Sequence, residues 1–145
     1  MPYCTIEDIE KQLSTAVLIQ LSNDYPEQNT VDNVVCEEAI IYSSSLIDGY
    51  LRGRYTLPLN THFPLLRVIG IDLSIYRLYS RRIQTEIPDH ILENYKNAIK
   101  TLEGLKKGVI TLESEDEQQV QSSGEYRTNK TPKDRLFNKR KMNEY

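Results

Sequence analysis

The residues best suited to chemistry are few and scattered. His62 and His90 are the only histidines, and they fall in different segments. Neither has a Cys, His or Asp at the spacing a metal site needs, so no metal is expected. His90, in the first turn of a predicted helix, reads as a surface residue. Cys4 and Cys36 stand 32 residues apart, with no CxxC pair and no small disulfide framework. Both read as reduced thiols in a cytosolic setting, Cys36 buried as a small apolar side chain. No Cys–His pair can be argued, no GxSxG is present, and Gly104 and Gly108 close a helix rather than cradle a phosphate. The acid pair Glu37–Glu38 falls on the outer side of an amphipathic helix. No catalytic constellation and no cofactor are therefore expected, and the chain does not read as an enzyme.

One carboxylate stands out. Asp72 lies inside the most apolar helical stretch, while Arg52 and Arg54 lie where the preceding long helix ends. A carboxylate removed from water must be paired or neutralised. The expectation is a structural ion pair between Asp72 and Arg52 or Arg54, pinning the central helix to the loop before it.

The elements that would carry these residues follow from periodicity. Thr5 is placed to cap a first short helix, in which Ile6, Ile9 and Leu13 recur at helical spacing and Glu7, Asp8 and Glu10 meet the positive end of the dipole. Ala16 to Leu21 gives a second short helix, or the continuation of the first after a kink. Residues 22–29 read as a loop. Thr30 is the expected cap of a helix running to Leu51, with a continuous stripe of Val34, Val35, Ala39, Ile40, Ser43, Leu46, Ile47, Tyr50 and Leu51. Within it, Ser43-Ser44-Ser45 would let another helix approach closely, or simply face water. Gly53 fits a left-handed cap. Pro64 suits the first turn of a helix to about Arg82 that is apolar almost all round, and so central. Arg77, Arg81 and Arg82 meet its negative end. Pro88 opens a last helix, striped by Ile91, Leu92, Tyr95, Ala98, Ile99, Leu102 and Leu105 and stopped by Gly108. Residues 109–112 have strand character but are too short to classify.

The expected fold is all-α, a small bundle of four to five helices over residues 1–112, followed by an extended or disordered arm over 113–145. With 145 residues and 16.9 kDa the chain has room for one modest core. No apolar run reaches the length of a membrane helix, and the acidic N-terminus does not resemble a signal peptide. There is no internal repeat. In the arm only Val120, Tyr126, Leu136, Phe137, Met142 and Tyr145 are apolar, too little to offset roughly 1–2 kcal/mol of backbone ordering per residue. Its charge is divided. Residues 113–126 hold five acids and no base; residues 127–145 hold seven bases and two acids, net +5. The rest, 1–112, has 11 bases and 14 acids, net −3. A polarised arm with apolar residues near its end suits docking on a partner.

Three blocks carry a family likeness. Met1-Pro2-Tyr3 with Thr5 and Asp8, the run Ile47-Asp48-Gly49-Tyr50-Leu51-Arg52-Gly53-Arg54-Tyr55-Thr56-Leu57-Pro58-Leu59, and Asp72-Leu73 with Tyr76-Arg77-Leu78-Tyr79 and Arg81-Arg82 resemble the phage Mu-like Gp36 family of tailed-phage and prophage proteins. Arg135-Leu136-Phe137 followed by Met142 is more weakly similar to the family's ending. The chain departs from the family in the acidic stretch Glu113 to Glu117. The likeness extends to the all-helical head–tail connector, or adaptor, proteins. It implies a structural virion protein of the neck, assembled in the bacterial host cytoplasm. The subunit would form a homo-oligomeric ring, commonly dodecameric, between portal protein and a tail-side neck protein. Genomic DNA would pass through without sequence-specific binding. The assembly residues would be Arg135, Leu136, Phe137 and Met142. The competing reading is a small helical nucleic-acid-binding module using the basic arm. The net negative charge of 1–112 and the lack of a basic recognition helix weigh against it.

Overall fold

Thr5 and Asp8 start the fold by capping each other. The Thr5 hydroxyl accepts from the Asp8 amide at 3.4 Å, and the Asp8 carboxylate accepts from the Thr5 amide at 3.0 Å. The computed structural model describes residues 2–25 and 27–113. Among these the fold is all-α, with five helices: α1 (Ile6–Gln12), α2 (Thr15–Ser22), α3 (Asn33–Leu51), α4 (Pro64–Ser80) and α5 (Asp89–Lys107). The expected arm, with Arg135, Leu136, Phe137 and Met142, lies outside the described residues apart from Glu113.

The start of the chain forms two short helices, not one kinked helix. Leu13 and Ser14 are extended, and the Ser14 hydroxyl caps α2 by accepting from the Val17 amide at 3.4 Å. The cap of α3 is Asp32, not Thr30. One Asp32 oxygen accepts from the amides of Val34 and Val35, at 3.0 and 3.3 Å. Thr30 is used differently: its carbonyl accepts from the Asn23 side chain at 3.0 Å. Gly53 is not left-handed either. α3 ends through right-handed Arg52, and the amides of Arg54 and Tyr55 both donate to Leu51 O, at 3.0 and 2.9 Å.

The left-handed glycine is Gly108, with φ 82°, at the end of α5. A Cβ there would also meet the exposed Arg54 guanidinium, which can swing aside, so the positive φ is what favours glycine. The chain then folds back: the Ile110 amide donates to Gly104 O at 3.2 Å, and the Leu112 amide to the Tyr55 hydroxyl at 3.0 Å. Residues 109–112 form a turn rather than a strand.

α4 is the axis, as its sequence predicts. One group of buried side chains joins α4 (Ile71, Ile75, Leu78) to Ile9 of α1, Leu18 and Leu21 of α2, and Cys36, Ala39 and Ile40 of α3. A second joins its other residues, Leu66, Ile69 and Leu73, to Ile47 and Leu51 of α3 and to Ala98, Leu102 and Leu105 of α5. Tyr76 of α4 stacks on Tyr95 of α5, ring centroids 3.8 Å apart. Arg77, beyond its place near the helix end, lies 4.8 Å from the ring centre of Tyr42.

Leu73 is 1% exposed at the heart of the second group. Leu73→Ala should cost about 2–5 kcal/mol in urea titration. A loss below about 0.5 kcal/mol would mean that the helix is not central.

Candidate functional site

The polar residues of the fold gather where the N-terminal segment crosses α3 and α4. Ser43 and Ser44, two members of the triple serine run, face inward, while Ser45 is exposed. Ser43 and Ser74 hydroxyls meet at 2.8 Å between α3 and α4, and the Ser74 hydroxyl donates to Gly70 O at 2.7 Å. The close approach of helices is thus the role these small side chains take. The Cys4 sulfur lies 3.6 Å from the Ser74 hydroxyl, and the Tyr3 amide donates to Ser44 at 3.3 Å. The Tyr3 hydroxyl donates to Asp48, and burial with that carboxylate pushes its pKa up. The segment lies on α4 at Gly70, where a Cβ would meet Tyr3 and Cys4 at 3.4 Å or more, ordinary van der Waals contact. Among the described residues, no buried side-chain nitrogen or oxygen lacks a partner.

Beside this crossing opens a cleft of about 800 Å³. Its walls are the N-terminal segment, α1, the loop from Pro58 to Phe63 and the first turns of α4. Leu59, Phe63 and Val68 give it apolar surface; Glu7, Asp8, Lys11, Asp48, His62 and Arg67 give it charge and hydrogen-bonding groups. Asp8 is buried and paired with Arg67, which is itself half exposed. That guanidinium holds the Asp8 carboxyl down at about 2 against the opposing effect of burial, helped by Thr5. A second clamp ties the loop after α2 to the end of α4. Arg81 and Arg82 both grip Asp24, at 2.9 and 2.6 Å, and also bond the carbonyls of Leu21 and Asn23. The two arginines lower Asp24 to about 2.

The expected pair of Asp72 with Arg52 or Arg54 is not formed. Among the described residues no ion pair involves Asp72; it is half-buried, and that burial alone raises its pKa. Arg52 and Arg54 are exposed, and Arg54 lies over Gly108 at the negative end of α5, where a cation is favoured. A half-buried carboxylate can keep water on one side, so the burial premise behind the pair fails. The ionic anchors that form instead use Asp8, Asp24, Arg67, Arg81 and Arg82. Thr5-x-x-Asp8 was the one available signal for the first, since a capping acid held at a helix start is fixed in place for a partner.

His62 and His90 are exposed, and burial pushes both thiols up, Cys36 to about 11 against the opposing Ser22 hydroxyl. Among the described residues no group of three His, Cys, Asp or Glu side chains is placed to hold a metal. The polar groups hold helices to one another and line one open cleft.

Over the described residues the class is a small all-helical domain, its helices joined by ionic and hydroxyl contacts. Its sequence matches the family described as Bacteriophage Mu, Gp36 over residues 3–130, and the chain belongs to that family of phage proteins. It is 32% identical over 121 residues to the Mu-like prophage FluMu protein gp36 of Haemophilus influenzae, covering 83% of this chain and 82% of that one. It is 26% identical over 132 residues to Gene product J of Escherichia phage Mu, covering 84% of this chain and 91% of that protein.

Two titrations follow with opposite sign. Asp8 and Asp24 are ionised in the folded state down to about pH 2, against 3.8 ordinarily. Their stabilisation is present above about pH 4 and drains away toward pH 2, so the urea midpoint should fall over that window, less steeply in Asp8→Asn. Asp72 is raised instead, so ionising it weakens the folded state as pH rises through its folded pKa. Asp72→Asn should therefore leave the urea midpoint at pH 7 unchanged or higher; a clear loss would point to a partner for the carboxylate.

Proposed function

We propose that this chain is a structural virion protein of a tailed phage or prophage, a head–tail connector subunit that assembles into a ring in the neck. The portal protein and a tail-side neck protein are its neighbours, and the genome passes through the ring without sequence-specific binding. No catalysis and no cofactor enter this reading. The observation that carries it is the family match, which spans the helical unit and runs on into the charged segment to residue 130.

The exposed surface supports repeated contact between copies. Val34, Ile41 and Tyr42 on α3 and Leu65 and Val68 on α4 are large apolar side chains left in water. They belong to two different helices of one subunit, which suits a head-to-tail contact between unlike faces. Such contacts close into a ring when the rotation per subunit closes. The arm adds a second means of contact, with Leu136, Phe137 and Met142 near the end of a segment of net charge +5.

Light scattering and negative-stain imaging of the full chain, alone and with portal-bearing heads, test the proposal. Closed rings, or particles that gain the protein at the portal vertex, are the expected result. A chain that stays monomeric and does not bind heads would overturn it. Deleting residues 130–145 should leave the melting temperature unchanged while preventing incorporation, because only Leu136, Phe137, Met142 and Tyr145 are apolar in that segment, too few to build a core of their own.

A further inference from the structure

We propose that the cleft between the N-terminal segment, α1 and the start of α4 is a socket for the end of the arm, residues 135–142, of a second copy of this chain. The inference rests on the connector reading and names the contact that would join neighbouring copies.

The socket has the right chemistry. Val68 is 50% exposed in its wall, and Leu59 and Phe63 are its apolar neighbours. Leaving such side chains in water forgoes roughly 25 cal/mol for each Å² that a partner could cover. A cleft of about 800 Å³ is large enough for two or three side chains of the size of Leu136, Phe137 and Met142. The lining holds three carboxylates, Glu7, Asp8 and Asp48, against two permanent cations, Lys11 and Arg67. The arm brings Arg135 on one side of its apolar pair and Lys139-Arg140-Lys141 on the other. The apolar residues match the wall, and the cations match the excess of acid around it.

Charge also favours a second copy over the arm's own domain. The first part of the arm, 113–126, carries five acids and leaves a unit that is itself net −3. A run of like charge repels itself and the surface it leaves, which favours carrying the basic end outward. Reach is not limiting. The 25 residues from Leu112 to Phe137 span up to about 80–90 Å when extended, about three times the length of α3.

The test uses two full-length variants, Val68→Cys and Asn138→Cys, mixed and mildly oxidised, with linked peptides identified by mass spectrometry. Val68 is exposed enough that the change should not disturb folding, and Asn138 adjoins the apolar pair without belonging to it. Docking raises the local concentration of the two thiols, so the peptide joining residues 68 and 138 should exceed a control by about tenfold or more. The control replaces Val68→Cys with Asn94→Cys, an exposed position on α5 that does not line the cleft. Links no more frequent than the control overturn the inference. Light scattering on the same samples separates the two proposals. Rings without the link sink the socket and leave the connector reading standing; linked dimers without rings do the reverse.

Discussion

A helix that is apolar on nearly every side cannot rest on the surface of a small domain, and α4 is such a helix. Leu66, Ile69, Ile71, Leu73, Ile75 and Leu78 all fall to 6% exposure or less, and they point to more than one side. One neighbouring helix could cover only one stripe of it. The fold answers by packing α3 and α5 along it, and α1 and α2 near its other side. Its residues enter both buried groups and join them into one interior. Every other placement in the domain follows from enclosing this helix.

Enclosure on that scale brings backbones close, and closeness demands small or polar side chains at the crossings. Ser43 and Ser74 meet where α3 and α4 come together. Hydroxyls in such a place are tolerated because each finds a partner in the other or in a carbonyl of its own helix. The ionic contacts lie at the margins of the same arrangement. Asp8 with Arg67 fixes α1 to the start of α4, and Asp24 with Arg81 and Arg82 fixes the loop after α2 to its end. Both pairs are partly open to water, so they set position more than they add stability.

This distribution of polar groups bears on function. A catalytic centre needs convergent groups with displaced pKa values aimed at a substrate. Here Asp8 and Asp24 are held low by their arginines, while burial raises the thiols of Cys4 and Cys36 and the carboxyl of Asp72. Among the described residues, Val34, Ile41 and Tyr42 on α3 and Leu65 and Val68 on α4 leave apolar surface in water, beside a cleft with a charged margin.

Much of the fold could be read from the sequence because helices announce themselves locally. The apolar spacing in α3 and α5, the proline at the start of α4 and the glycine after α5 each act within a few residues, and each lies where periodicity and capping rules place it. The central place of α4 was legible for the same reason, since apolar residues recur on most of its sides, although Leu65, Arg67, Val68 and Arg77 stay exposed. Asp32 rather than Thr30 as the cap of α3 was a choice between two near neighbours, decided by which side chain could accept from two amides. The partners of charged residues were not legible. Asp72 looked like the carboxylate in need of a cation because it sits in an apolar run, yet the structure leaves it half in water. The arginines went instead to Asp8, which reads in sequence as a partner of the first helix's dipole, and to Asp24, in a stretch that reads as a loop. Sequence determines which side chains recur on one face of a helix. Only the tertiary structure decides which faces meet, because ion pairing depends on distances between segments some 60 residues apart, which no local pattern encodes.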